Sequence, residues 1–294
     1  MLDMGTRATT LRRRLQSEQL IVAPGAFDPI SARVLVQAGF DTIFISGYGL
    51  SVSTLGLPDI GVMSYSEVLE RTRAIVDAVP VPVICDADTG YGGVHNVRRT
   101  VRDMEKIGAA AIILEDQESP KRCGHLPGKE VVPQSEMVQK LKVALDARQG
   151  DMLIVARTDA IQPNGFDDAI ERANAYAETG VDIVFVEGLG DRDECRRAVE
   201  MVNAPLLANM IEGSITAYIT TAELHEMGFK VALWPLSMLL TSITQMQRVA
   251  ALLKSHGQLP AHILETTMKF PQFSEFWDVA SYQETVDRYV LPNA

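Results

Sequence analysis

Eight short apolar runs recur along the chain, at residues 20–23, 42–45, 81–85, 110–114, 152–156, 183–186, 205–208 and 231–233. They are rich in Val, Ile and Leu and lack polar alternation, which marks strands buried on both faces, as in a parallel sheet. Between most of them the apolar spacing switches to the helical period. Val97, Val101, Met104 and Ile107 form one stripe that stops at Gly108, and Ile170, Ala173 and Ala177 form another that stops before Gly180. Glycine closes a helix there because it adopts the left-handed backbone of a C-terminal cap without steric strain. Strand alternating with helix, with no Pro/Gly/Ser-rich linker, gives an α/β fold, and eight repeats predict closure into a (β/α)8 TIM-type barrel. An open doubly wound sheet is the alternative. A chain of 294 residues with 47% hydrophobic content fills such a core in one domain. The expected division is a barrel over residues 1–264, opened by a basic amphipathic helix, and extra C-terminal helices over 265–294.

Charge narrows the partners. A formal net charge of −11 repels nucleic acid and anionic membrane surfaces, although a local basic pocket can still hold a small anion. No polynucleotide partner is expected. Cys85, Cys123 and Cys195 form neither CxxC pairs nor a disulfide framework, which suits a reducing compartment. The stretch through Val22 lacks an apolar run behind its basic residues, and no uncharged apolar stretch reaches membrane-spanning length. The expectation is a cytoplasmic protein without membrane association.

The residues that end the apolar runs carry the functional signal. Ser46 and Gly47, Asp86 and Asp88, Glu115 and Asp116, Arg157 and Asp159, Glu187, Asn209 and Ser237 lie at or just past predicted strand ends. In a barrel these ends converge on one face around one pocket. Loops are polar anyway, but that accounts poorly for a set made chiefly of carboxylates plus one arginine. Asp86 and Asp88 leave a strand for a glycine-rich loop and, two residues apart, share a side. Oxygen-only ligands in a small site suit Mg²⁺, with Mn²⁺ as a substitute, and Asp59 and Glu115 are candidate further ligands or water-holders. An Asp-x-Asp pair alone is as readily a turn or cap; Glu115 at the end of the next strand tips the reading toward metal. Arg157 offers a two-pronged fork to a carboxylate, or a structural ion pair with Asp159 or Glu187. Between Ser119 and Lys129 a thiol lies among cations. Lys121, Arg122 and a protonated His125 would favour the thiolate of Cys123 and let it shuttle a proton. Pro and Gly at both ends of that segment suit a mobile active-site loop. An exposed loop with an incidental cysteine is the competing reading, and Cys85 and Cys195 are read as packing residues.

Eight stretches, in order, resemble the isocitrate lyase/phosphoenolpyruvate mutase superfamily over nearly the whole chain. They are I-S-G at 45–47, L-G-L-P-D-I-G at 55–61, D-A-D-T-G-Y-G at 86–92, E-D-Q at 115–117, K-R-C-G-H at 121–125, A-R-T-D at 156–159, L-L-A-N at 206–209 and P-L-S at 235–237. K-R-C-G-H is similar to the catalytic loop of the carbon–carbon lyases of that superfamily, which act on methylisocitrate and dimethylmalate. The resemblance implies Asp86 and Asp88 as the Mg²⁺-site aspartates, with Asp59 and Glu115 in support. It implies Ser46, Gly47, Tyr48, Gly124, His125, Arg157, Glu187, Asn209 and Ser237 as substrate-contacting positions. Cys123 becomes the general acid, with Arg157, Glu115 and His125 in the catalytic group. Mg²⁺ and the Ser46 and Gly47 amides would hold the α-oxygen and carboxylate of a small anionic substrate, and loss of the 2-hydroxyl proton would drive retro-aldol cleavage. Cys123 would then protonate the departing carbanion; the acceptor of the hydroxyl proton is left open.

Two departures bear on the substrate. Phe44 stands where the methylisocitrate enzymes resemble Tyr-x-Ser-Gly, and F-V-E-G surrounds Glu187 where those enzymes tend to have Pro before the Glu. Both weaken a tricarboxylate assignment. P-K-R-C-G-H-L and A-P-L-L-A-N-M-I-E-G also look like carboxyphosphonoenolpyruvate phosphonomutase. The expected function is a Mg²⁺-dependent lyase that cleaves a 2-hydroxydicarboxylate or 2-methylisocitrate-like acid to a 2-oxoacid or related carbonyl product plus a carboxylic acid. A phosphonomutase, or an oxaloacetate hydrolase or decarboxylase, is the alternative. A non-catalytic carboxylate sensor has no need of a proton donor on a mobile loop.

Past the eighth run the chain adds Phe270, Phe273, Phe276, Trp277, Tyr282, Val286 and Tyr289. Such a set needs a partner surface, or it folds back over the N-terminal end of its own barrel. The resemblance implies the former, with C-terminal helices exchanged between subunits of a homotetramer.

Overall fold

The computed structural model of the chain describes residues 6–124 and 128–290. Its strands are β1 Ile21–Ala26, β2 Ile43–Ile45, β3 Val83–Asp86, β4 Ala111–Glu115, β5 Leu153–Thr158, β6 Ile183–Val186, β7 Leu206–Asn209 and β8 Val231–Trp234. Neighbours pair in parallel, and β8 returns to β1, so the sheet closes in sequence order. The expected barrel is therefore the fold, and the open sheet is excluded. Every strand overlaps its predicted run. β5 extends further than its apolar residues, because Arg157 sits in register opposite Glu115 of β4 and the ladder continues through both.

Alternate strand residues fill two cores, as the pleat requires. Phe44, Ile84, Ile113, Val155, Phe185, Leu207 and Leu233 pack inside the barrel. Their neighbours Ile45, Ile112, Ile154 and Val184 pack outward against helix residues, among them Val97, Val101, Met104, Met137, Leu141 and Ile170. Each such buried Leu or Ile contributes about 1.5–3 kcal/mol relative to an exposed one. The helix Val94–Lys106 buries the predicted stripe, and Gly108, at φ +85°, ends it in the left-handed conformation. The opening helix Arg7–Leu15 is capped by Thr6 and sends Leu11 into the inner core beside Ile21 at the start of β1. Its basic face is tied down by Arg12 to Asp182 at 2.6 Å and Arg14 to Asp41 at 2.5 Å. Sealing that end leaves the C-terminal strand ends as the face where a site can form.

Two compact units make up the chain, one ending at Thr241 and the other beginning at Ser242. The second unit includes helices Ala261–Thr266, Phe270–Phe276 and Val279–Tyr289. Within it, Phe273 packs against Phe270 and Trp277 with ring centroids 6.2 and 6.1 Å apart, and Phe276 meets Trp277 at 4.9 Å. Among the described residues no helix is long and apolar enough to cross a membrane.

Candidate active site

A cavity of about 40 Å³ opens at the C-terminal strand ends. One side of it is acidic. β3 ends in Asp86, whose Oδ1 accepts from the Asp88 amide at 3.1 Å and whose Oδ2 accepts from the Gly47 amide at 3.2 Å. Gly47 begins the helix Gly47–Leu55, so the positive end of that helix faces the carboxylate. A Cβ at Gly47 would lie 3.0 Å from Asp86 Oδ2 and 3.2 Å from Asp88 Oδ1, a fit that only glycine makes without displacing them. Asp88 has φ +46°, rare outside glycine, which turns its carboxylate toward Lys121. The Lys121 ammonium lies 2.7 Å from Asp59 and 2.7 Å from Asp88. Burial pushes the Asp88 carboxyl up to about 6, against the pull of Lys121. Burial also opposes the charge on Lys121, but Asp88, Glu115, Asp86 and Asp59 outweigh it and hold its pKa well above the usual lysine value.

The other side is organised around a guanidinium. Arg157 Nε and Nη2 donate to Oδ2 and Oδ1 of Asp159, both at 2.8 Å. Nη1 lies 3.3 Å from Glu115 Oε2, and Nη2 lies 3.5 Å from Glu187 Oε2. Phe185 supports the guanidinium from its ring face, 5.1 Å from the centroid. Glu187 Oε2 also accepts from Asn209 Nδ2 at 3.0 Å. Below them, Asp116 accepts from Tyr176 Oη at 2.7 Å, Thr158 Oγ1 at 2.8 Å and the Asp159 amide at 2.9 Å, which fixes the end of β5. Burial drives the Glu115 carboxyl well above the ordinary range, with Arg157 opposing. Glu115 Oε1 is buried without a hydrogen-bond partner.

Comparison with known proteins identifies the family of the chain. A family profile described as phosphoenolpyruvate phosphomutase matches residues 11–254. The chain belongs to the phosphoenolpyruvate mutase/isocitrate lyase superfamily. This superfamily member is 41% identical over 283 residues to 2,3-dimethylmalate lyase of Eubacterium barkeri, covering 96% of this chain and 98% of that one. It is 37% identical over 288 residues to 2-methylisocitrate lyase of Bacillus subtilis (strain 168), covering 97% and 95%. A crystal structure of 2,3-dimethylmalate lyase superposes with a TM-score of 0.91 at 35% identity, covering 98% of this chain and 96% of that one. A phosphonopyruvate hydrolase crystallised with oxalate and Mg²⁺ superposes with a TM-score of 0.88 at 29% identity, covering 98% and 100%. The chain is thus an enzyme of this superfamily, and its curated relatives group it with the carbon–carbon lyases.

Most residues singled out in the sequence meet in the cavity of this superfamily member: Ser46, Tyr48, Asp59, Asp86, Glu115, Cys123, Gly124, Arg157, Glu187 and Asn209 all line it. Ser46 caps the helix without a side-chain cap hydrogen bond, so its hydroxyl is not spent there. Three expected residues sit differently. The Gly47 amide, expected on a substrate oxygen, donates to Asp86, because the strand end brings that carboxylate to the helix terminus first. Asp88 does not line the cavity and holds Lys121. Ser237 stands outside the lining and donates its hydroxyl to Glu212, a partner the loop after β7 supplies. His125 lies outside the described residues. Lys121 was visible in the sequence only as a neighbour of Cys123, whereas its ammonium serves the aspartates. The apolar wall of Phe44, Ile113, Phe185 and Leu233 carried no signal beyond strand patterning, although alternation from Glu187 and Asn209 places Phe185 and Leu207 on the same inner side.

Proposed function

We propose that this enzyme is a divalent-metal-dependent carbon–carbon lyase that cleaves a 2-hydroxydicarboxylate to a 2-oxoacid and a carboxylic acid. The observation that carries the reading is that Cys123 lines the same small cavity as Asp86, Glu115 and Arg157. A proton donor, an acidic corner and an anion fork are the parts such a cleavage needs.

The residues present fit Mg²⁺. Asp59, Asp86, Asp88, Glu115, Asp159 and Glu187 outnumber the cations Lys121, Arg122, Lys129 and Arg157 around the site, an imbalance that a divalent cation corrects. Among the described residues no set of three His, Cys, Asp or Glu side chains converges on one point, but Mg²⁺ keeps several waters and needs only one or two carboxylates. Asp86 and Glu115, with its unpartnered Oε1, would hold it. When bound, it supplies Lewis-acid stabilisation of negative charge on the substrate 2-oxygen.

Arg157, fixed by Asp159, orients one substrate carboxylate. The 2-hydroxyl proton passes to the buried carboxylate cluster, the oxygen becomes the carbonyl of the 2-oxoacid, and the C2–C3 bond breaks with its electron pair on C3. The adjacent carboxylate spreads that charge, the Cys123 thiol delivers its proton to C3, and solvent returns a proton to the thiolate. A dicarboxylate is favoured over a tricarboxylate. Of the cations lining the cavity, Lys121 is committed to Asp59 and Asp88 and Arg157 to Asp159, Arg122 comes from the segment after β4, and Phe44, Phe185 and Leu233 offer an apolar wall that suits alkyl substituents better than a third carboxylate.

A panel of 2-hydroxy and 2-oxo diacids assayed with Mg²⁺ and then with EDTA tests this, with turnover expected on an alkyl-substituted malate and loss on chelation. Product from a phosphonate alone, with none from any hydroxydiacid, overturns it. Cys123→Ser is expected to keep ligand binding while slowing cleavage roughly 10²–10⁴-fold, the contribution typical of a general acid. Cleavage at the normal rate in that variant removes Cys123 from the acid role.

The assembly proposed with this activity is a cytoplasmic homotetramer in which residues 265–290 pack on a neighbouring subunit. Phe270, Tyr282 and Tyr289 are 80%, 70% and 75% exposed, a density of bare aromatic surface that soluble monomers rarely carry. Light scattering that reports a stable monomer of 32.2 kDa at micromolar concentration rules it out.

A further inference from the structure

Lys129 is a buried cation without a role in the chemistry derived so far. Its side chain is 2% exposed, and the ammonium donates to the Gly124 carbonyl at 2.6 Å and to Asp159 Oδ1 at 3.0 Å. Asp159 is fully buried and already grips Arg157 with both oxygens at 2.8 Å. One carboxylate therefore ties down the guanidinium and, through Lys129, the backbone beside Cys123. Gly124 lies so close to Arg157 that a Cβ there would come 2.5 Å from Nη2.

Burying an ammonium costs several kcal/mol unless excellent geometry offsets it. Arg157 makes a two-pronged pair with Asp159 and Lys129 adds a single contact to the same group, so charge pairing by itself leaves the reach to Gly124 unexplained. What Lys129 adds is the bond to the Gly124 carbonyl, a short charge-assisted contact of the strong class. We propose that Lys129 is a positioning residue that holds the Cys123–Gly124 backbone against Arg157, so that the thiol keeps a fixed place relative to the guanidinium. Its catalytic consequence rests on the reading that Cys123 delivers a proton, whereas the holding itself does not.

The test is the rate at which iodoacetamide alkylates Cys123 in the full-length protein, followed by peptide mass, in the wild type, Lys129→Met and Lys129→Gln. Cys85 and Cys195 are buried and report on their own peptides. Losing a hydrogen bond from a charged donor, about 1.5–3 kcal/mol, predicts a rise of at least roughly tenfold in Lys129→Met. A Gln amide keeps a donor but sits one bond nearer the backbone than the ammonium, and Lys129→Gln is expected between wild type and Lys129→Met. A wild-type rate in Lys129→Met overturns the proposal, as does a rise in Lys129→Gln equal to that in Lys129→Met. Should Lys129→Met not fold, Lys129→Gln carries the test alone, and a wild-type rate there overturns it. On any lyase substrate found, Lys129→Met is expected to lower kcat while KM holds. If the alkylation shift appears and no lyase substrate is turned over, the lyase reading fails and the positioning role stands.

Discussion

The two sides of the catalytic face use the same residue types in opposite senses. On the side of β2 and β3, the carboxylates of Asp59, Asp86 and Asp88 gather about one ammonium, Lys121, and outnumber it. Toward β5 and β6, Asp159, Glu115 and Glu187 surround a guanidinium that faces the cavity in a fixed orientation. Origin separates the two cations. Arg157 belongs to β5 and is locked by the ladder and by Asp159, whereas Lys121 comes from the segment after β4, whose only ladder contact among the described residues is a bridge from Gln117 to Val131. A strand-borne arginine is suited to stay and receive an anion, whereas a lysine on a loop takes its place from the carboxylates it pairs with.

That contrast can be broken from either side. The largest effect is expected at the acidic corner, where Asp86→Ala should remove metal-dependent turnover by about 10⁴-fold, the several kcal/mol that a bound metal supplies. Asp88→Ala should cost less, because Asp88 holds Lys121 and does not line the cavity. Calorimetric Mg²⁺ titration of both variants checks the order; equal loss of metal binding would merge their roles.

At the guanidinium, Asp159→Asn should destabilise the fold by about 3–5 kcal/mol at neutral pH by leaving buried cations underpaired. Burial opposes the charge on Asp159, but Arg157 and Lys129 outweigh it and hold its carboxyl below the ordinary value of 3.8. A carboxylate depressed in this way stabilises the fold above its ordinary value, and the contribution is lost as pH falls through the lowered one. Denaturant melts of wild type and variant should therefore show a constant gap at neutral pH that narrows on acidification below 3.8. A gap that widens there contradicts the pairing.

Gly124→Ala should lower kcat/KM by about 10²-fold, the cost of displacing a catalytic segment by roughly 1 Å, because the new methyl would lie 2.5 Å from Arg157. A crystal structure with Arg157 unmoved and full activity would show that the segment has room to give. Smallest of all is Glu223→Gln, a control on a carboxylate remote from both sides. The Thr220 amide and then Arg192 hold the half-buried Glu223 carboxyl at about 2. Its capping contribution should be complete above the ordinary carboxylate value and fade as pH falls through about 2, with turnover unchanged. An NMR titration midpoint near the ordinary value would show the cap is not formed.

Much of this molecule follows from local sequence. The runs of Val, Ile and Leu locate all eight strands because burial on both faces leaves a signature a few residues long. Strand ends then bring Asp86, Glu115, Arg157, Glu187 and Asn209 to one face by topology alone, without any knowledge of side-chain contacts. Even the pairing of Arg157 with Asp159 is foreshadowed by their spacing of two. The ammonium of Lys121 between Asp59 and Asp88 was not readable, since its partner Asp59 lies 62 residues away and the approach depends on a positive φ at Asp88. Nor was the turn of the Gly47 amide toward Asp86, the capture of Ser237 by Glu212, or the two hydrogen bonds from Lys129 to Gly124 and Asp159. Periodicity fixes which residues reach a face, because it is a property of neighbouring positions. Which of them pair there is set by loop backbones and by charges competing within a few ångströms in a low-dielectric site, and only the folded chain brings those charges together.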